Sequence, residues 1–162
     1  MAFNVLILCT GNSARSVMGE AILNRRGHGR FRAYSAGSKP AGAVNPTGVM
    51  LLASKGYDTG LYRSKNWDEF SGPAAPQMHA VITVCDNAAG ETCPLWPGVP
   101  VRVHWGFPDP AAVTGSEEAK LAAFSEIYDA IDAYMEALVA LPVETMDADD
   151  LKAAMQTIAE QA

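Results

Sequence analysis

The chain has 162 residues, 49% of them hydrophobic and 19% charged, an ordinary water-soluble composition for one domain large enough to bury a core. Its formal net charge of −6 argues against a nucleic-acid surface, so an anion site here must be a local positive spot in a negative protein. No apolar run approaches the roughly 20 residues of a membrane span. Met1-Ala2-Phe3 leads straight into the first apolar stretch with no room for a signal peptide, so the expectation is a cytoplasmic protein with no membrane partner. Three cysteines in a reducing compartment do not make a structural framework. His28, His79 and His104 are scattered without zinc-type spacing, and neither a metal site nor a bound cofactor is expected.

The apolar run 5–8 reads as a fully buried strand that stops at Cys9. Thr10, Gly11, Asn12, Ser13 and Ala14 form a short-residue loop, and helical periodicity resumes at Ser16 with Val17, Met18, Ala21 and Ile22. Small residues let successive backbone N–H groups turn inward around one point, and such a nest opening onto a helix N-terminus is an anion site. Arg15 adds a planar bidentate donor for a tetrahedral oxyanion, and the same positive field favours a thiolate at Cys9. Cys9 is thus the candidate nucleophile, with residues 10–16 as its oxyanion cradle. The plainer alternative, a small buried cysteine closing a core strand, is outweighed by the flanks.

The first helix is expected over residues 16–26, ended by Gly27 and Gly29. Arg25, Arg26, Arg30 and Arg32 cluster near its end and read better as a solvated helix end than as an anion lure. Residues 30–36 read as the second strand, closed by Gly37. After a Gly/Pro loop, Asn45-Pro46 starts a helix through about residue 55. Trp67-Asp-Glu-Phe70 reads as one helical turn, and residues 80–85 as the third strand, delivering Cys85 to the same sheet edge as Cys9. Residues 101–104 form a fourth strand, followed by a stiff loop, Trp105-Gly-Phe-Pro-Asp109-Pro110-Ala111, able to hold an acid in place. A long amphipathic helix follows over 116–140, and Asp147 caps a last short helix with Leu151, Met155 and Ile158 on one face. Strand–helix alternation in this order implies an α/β fold of three layers, α/β/α, around a central parallel four-stranded sheet.

Cys85 and Cys93 are separated by seven residues, a weak signal in itself. A disulfide needs Cα atoms about 5.5 Å apart, whereas eight helical steps span about 12 Å. If the two ever bond, the segment between them must loop out, which Gly90, Pro94 and Pro97 make feasible.

Cys9-Thr-Gly-Asn-Ser-Ala-Arg15-Ser16 resembles the signature loop of the low-molecular-weight protein tyrosine phosphatase fold, whose members include phosphatases and a branch of arsenate reductases. The likeness runs through Tyr34-Ser-Ala-Gly37 and Trp105-Gly-Phe-Pro-Asp109-Pro110 and fades after about Leu141. That divides the chain into a domain over 1–141 and a helical extension over 142–162, the latter serving packing or self-association. The segment from Cys85 to Cys93-Pro94 is similar to the redox segment of thioredoxin-coupled arsenate reductases.

The resemblance implies a reaction. Arsenate is held by the loop and Arg15, the Cys9 thiolate attacks arsenic, and Asp109 acts as general acid. Ser16 hydrogen-bonds the thiolate, and Asn12 holds the loop's shape. Cys85 and Cys93 then relay a disulfide outward to thioredoxin or, alternatively, to glutathione with glutaredoxin. The expected product is arsenite, and the expected role is arsenic detoxification by a monomer. Phosphatases of this kind usually carry an aromatic residue after their Asp-Pro; Ala111 stands there, which disfavours tyrosine-phosphate recognition. A tyrosine phosphatase using Cys9, Arg15 and Asp109 is the alternative enzyme, and an oxyanion sensor the non-enzymatic one.

In some reductases of this kind, residues matching Asn12, Glu20, Ser35 and an acid near position 65 hold a potassium ion. This chain has Lys65, so no potassium site is expected, and Lys65 is expected to pair with Glu20 instead. Taken without the family, Glu20 reads as a surface acid.

Overall fold

The computed structural model describes residues 2–70, 72–84, 99 and 101–161. Strand β1 (Phe3–Cys9) leads through the 10–14 loop into helix α1 (Arg15–Gly27), and β2 (Phe31–Gly37) returns parallel to β1. Helix α2 (Pro46–Ser54) and two short 3₁₀ turns, Thr59–Leu61 and Trp67–Phe70, precede β3 (Ala80–Thr83). Strand β4 (Val101–His104), a 3₁₀ turn at Pro110–Ala112, and helices α3 (Glu117–Val139) and α4 (Ala148–Gln161) complete the described elements. The sheet is four-stranded and wholly parallel, in the order β2-β1-β3-β4.

β1 is central and buried on both faces, which is why its sequence is a continuous apolar run and not an alternating one. Val5, Ile7 and Cys9 join the larger core with α1, α2, α3 and α4, through Val17, Met18, Leu52, Phe124, Ile131 and Met155 among others. Leu6 and Leu8 face the opposite side, against Trp67, Phe70, Met78 and Val81. The expected α/β architecture with a parallel four-stranded sheet is therefore present.

Element ends differ from the sequence reading in instructive ways. α1 begins one residue earlier and includes Gly27; the left-handed residue that ends it is His28, with φ of 47°. Gly27 is needed for packing, since a Cβ there would sit 2.7 Å from that of Phe31. β3 ends at Thr83, and Val84 beyond it still donates its N–H to the Leu8 carbonyl (2.9 Å). Cys85 and Cys93 lie outside the described residues.

Two caps follow the sequence. Asn45 Oδ1 accepts from the Thr47 and Gly48 amides at the start of α2, and Ser116 Oγ accepts from the Ala119 amide at the start of α3.

Asp147 Oδ1 accepts from the Asp150 amide (2.8 Å) before α4, a 14-residue helix and not a short one. Leu151 and Met155 are buried in the main core, and Met155 gives its carbonyl to the Trp105 indole N–H at 3.0 Å. Of the two roles open to the extension, packing is the one this geometry displays.

Arg25 and Arg30 are exposed, as a solvated cluster implies, but three of the four clustered arginines also make specific contacts. Arg26 makes a two-pronged bond to Asp132 of α3 (2.6 and 2.8 Å), with Glu136 at 3.4 Å. Arg30 clasps Glu144 and the Val139 and Leu141 carbonyls. Arg25 lies 3.4 Å over the Tyr57 ring and donates to the Lys55 carbonyl.

Candidate active site

The site forms at the carboxyl edge of the sheet. Cys9 ends β1 in register with Gly37 of β2, and is 5% exposed. Behind it the 10–14 loop is braced by a neighbouring segment. The Thr10 carbonyl accepts from Lys39 N–H and the Gly11 carbonyl from Ala41 N–H, both at 2.9 Å; the Ser13 carbonyl accepts from Asn45 N–H at 2.8 Å. Ser64 Oγ also donates to the Gly11 carbonyl at 3.0 Å. Peptide planarity puts C=O and the following N–H on opposite sides, so outward carbonyls turn the amides of Gly11, Asn12 and Ala14 to the other side.

The helix that opens from the loop is left receptive. Ala14, the residue before α1, supplies no side-chain cap, and Arg15 is the first helical residue. Gly37 lets the loop come this close: a Cβ there would overlap the Thr10 carbonyl oxygen and lie 2.7 Å from that of Cys9.

Asn12 sits in the left-handed region with φ of 45° and is fully buried. Its Nδ2 donates to Ser16 Oγ (2.9 Å) and Ser35 Oγ (3.0 Å), while Oδ1 accepts from the Lys65 amide (2.9 Å). Every polar atom of this side chain is spent on holding the loop's shape, and Ser16 is drawn beneath the loop.

Arg15 reaches across to the loop after β4. Its Nη1 donates to the Phe107 carbonyl at 2.9 Å, and Nη2 lies 3.7 Å from Asp109 Oδ2. Its Nε is buried and has no hydrogen-bond partner. A buried donor without an acceptor is costly, and an oxyanion at the Nε–Nη2 edge would supply one. Asp109 is held by its own turn, Oδ1 accepting from the Ala111 amide at 2.9 Å, and its side chain remains 45% exposed. The loop itself is anchored by Trp105 N–H on the Thr83 carbonyl (2.7 Å) and Phe107 N–H on the Val84 carbonyl (3.1 Å). Tyr134 of α3 packs edge-on against both aromatic rings.

Cys9, Arg15, Asp109 and the 10–16 loop thus meet at one sheet edge. The contributions of the Phe107 carbonyl, Ser64 and the Lys39 and Ala41 amides had no signal in the sequence, because backbone groups and surface serines look alike in any loop.

The sequence profile of the low molecular weight phosphotyrosine protein phosphatase family matches residues 4–153. The chain belongs to this family. Among relatives of the phosphatase-family chain is an arsenate reductase from Halalkalibacterium halodurans, 37% identical over 127 residues, covering 78% of this chain and 88% of the relative. A solved arsenate reductase from Archaeoglobus fulgidus has a TM-score of 0.65 and 26% identity, covering 85% of this chain and 99% of that one. A tyrosine phosphatase from Erwinia amylovora shares the fold, with a TM-score of 0.62 at 21% identity, covering 88% and 95% of the two chains. No helix among the described residues is long and apolar enough to cross a membrane.

The potassium site found in some reductases of this family does not fit this chain. The Lys65 ammonium stands there, 3.4 Å from Ser35 Oγ, 2.9 Å from the Arg63 carbonyl and 3.7 Å from Glu20 Oε1. Glu20 is correspondingly no surface acid: its carboxylate is 14% exposed and accepts from Ser35 Oγ at 2.6 Å. The expected Lys65–Glu20 pair is present.

Proposed function

We propose that this chain reduces arsenate to arsenite by a three-cysteine relay. The observation that carries the reading is the braced Cys9–Arg15 loop with an unpaired, buried Arg15 Nε and an acid beside it, in a chain whose curated relatives are named arsenate reductase. Arsenate enters the nest of residues 10–16 and takes the open edge of Arg15. The Cys9 thiolate attacks arsenic, an As–O bond breaks, and Asp109 gives the departing oxygen its proton.

Cys85 then attacks Cys9 sulfur. The S–As bond breaks with its electron pair on arsenic, so As(V) becomes As(III) and a Cys9–Cys85 disulfide is left. Cys93 attacks Cys85, which frees the Cys9 thiolate and leaves a Cys85–Cys93 disulfide for an external dithiol to reduce. Thioredoxin is the proposed reductant, with glutathione and glutaredoxin as the other route, and the working state is a cytoplasmic monomer. Residues 1–141 are the catalytic domain in this reading. The 142–162 extension steadies it, the Trp105–Met155 bond tying the start of the Asp109 loop to α4.

A phosphoryl group suits the same cradle, so slow phosphatase activity is expected alongside. Ala111, exposed beside Asp109, offers no ring for an aryl substrate. The test is arsenate-dependent NADPH oxidation coupled through thioredoxin and its reductase, with Cys9→Ser, Cys85→Ser and Cys93→Ser beside the wild type. Turnover lost in each single variant supports the relay; full turnover in Cys93→Ser excludes the outward step.

A further inference from the structure

We propose that Lys65 is a positioning residue for Cys9: its ammonium sets the direction of a buried hydrogen-bond relay from Glu20 through Ser35 and Asn12 to Ser16. The inference rests on reading Cys9 as a nucleophile in an oxyanion loop, and not on arsenate being its substrate.

The direction follows from counting protons. Ser35 Oγ has one hydrogen and two lone pairs. Its hydrogen goes to Glu20 Oε1 at 2.6 Å, so it must accept from both Asn12 Nδ2 at 3.0 Å and the Lys65 ammonium at 3.4 Å. That orients the Asn12 amide, whose other Nδ2 hydrogen goes to Ser16 Oγ at 2.9 Å and whose Oδ1 takes the Lys65 backbone N–H. Ser16, accepting from Asn12, keeps its own hydroxyl hydrogen to donate, and in this proposal its acceptor is the Cys9 thiolate. Lys65 therefore touches both ends of the clamp, through its backbone and through its ammonium.

The ammonium keeps this order by donating to Ser35 Oγ beside the Glu20 carboxylate. Both side chains are largely buried, at 8% and 14% exposure. Burial pushes the Lys65 amine downward, and the Arg63 charge pushes the same way, while Glu20 and then Glu69 push it back up. Glu20 is the anion nearest the ammonium among these charges. Without the ammonium, the Glu20 carboxylate is a buried charge lacking its partner, and Ser35 loses the second donor that fixes which way its hydrogen points. The Ser35 hydrogen can then turn toward Asn12, where it opposes Nδ2. The reversal passes along the relay and withdraws the Ser16 hydrogen from Cys9.

The test is a double-mutant cycle on the full chain with Lys65→Met, which keeps most of the apolar stem, and Ser16→Ala. Two quantities are read: the pH profile of Cys9 alkylation by iodoacetamide in a Cys85→Ser/Cys93→Ser background, and the Kd for inorganic phosphate. Lys65→Met is expected to move the alkylation midpoint up by roughly one pH unit, a tenfold loss of thiolate near neutrality. It should weaken phosphate roughly tenfold through the loosened loop. The Lys65→Met/Ser16→Ala pair should alkylate no more slowly than Ser16→Ala alone. Glu20→Gln, which leaves the ammonium but removes the charged acceptor, should shift the midpoint in the same direction and stands in should Lys65→Met not fold. Additive effects of the Lys65 and Ser16 changes, or an unmoved midpoint in a folded Lys65→Met or Glu20→Gln protein, overturn the proposal. Because neither readout uses arsenate, its failure is distinguishable from a failure of arsenate turnover.

Discussion

The Arg15 guanidinium lies 3.7 Å from the Asp109 carboxylate, although one residue opens the first helix and the other caps a turn beyond the last strand. In the proposed mechanism their meeting places an anion binder and a proton donor on one cradle. With Arg15 engaging the oxyanion and Asp109 acting only as the leaving oxygen departs, the two roles separate kinetically. Asp109→Asn is expected to lower kcat by about 10²- to 10⁴-fold with the Kd for inorganic phosphate nearly unchanged. Arg15→Lys should instead weaken phosphate, since an ammonium cannot replace the Nε–Nη2 edge. Isothermal titration beside steady-state kinetics separates these outcomes.

Gly37 sets how closely β2 approaches the loop. Gly37→Ala must push back the Thr10 and Cys9 carbonyls, which are backbone and cannot swing aside. A loss of about 1–3 kcal/mol of stability is expected, the usual range for overpacking. A disproportionate loss of phosphate affinity should accompany it, measured by urea unfolding and titration on the same preparation.

Trp105 and Met155 tie the end of the chain to the site. Met155→Ala leaves a cavity in the main core and should cost about 2–5 kcal/mol. Collapse of α4 toward that cavity would shift the main-chain Met155 carbonyl off the Trp105 indole, so kcat should fall in the residual folded protein at a temperature well below its melting midpoint. A chain ending at residue 146 should show the same two effects more strongly in thermal melts and turnover.

The Arg26–Asp132 pair links α1 to α3 and holds the Asp132 carboxyl below its ordinary value of 3.8. A depressed folded value means that the stabilisation is present above 3.8 and is lost as pH falls through that lower folded value. At neutral pH, Asp132→Asn should cost about 1 kcal/mol or less, as befits a partly exposed pair. The gap to wild type should close on acidification below 3.8, which urea midpoints at neutral and acidic pH will reveal.

How much of this was legible in the chain depended on where the information lies. The Cys9–Ser16 loop is contiguous, and its strand, small residues and helix start each carry their own signal. The Lys65–Glu20 pair was reachable because some reductases that the loop resembles carry an acid where this chain has Lys65. The arginines near residue 25 were not legible: Asp132, Glu144 and the Leu141 carbonyl lie far along the chain, and only the packing of α3 on α1 brings them close. The end of α1 was misassigned because glycine is the usual left-handed residue. Here Phe31 claims Gly27 for close packing, and the turn falls on His28.

Reduction of arsenate at Cys9 is the step on which the proposed function rests. The most direct measurement is arsenate-dependent NADPH oxidation with thioredoxin and thioredoxin reductase, wild type beside Cys9→Ser, with arsenite quantified at the end. The account predicts sustained turnover, one arsenite for each NADPH consumed, and none from Cys9→Ser. A wild type that leaves arsenate untouched while hydrolysing an aryl phosphate quickly would contradict it and make the protein a phosphatase.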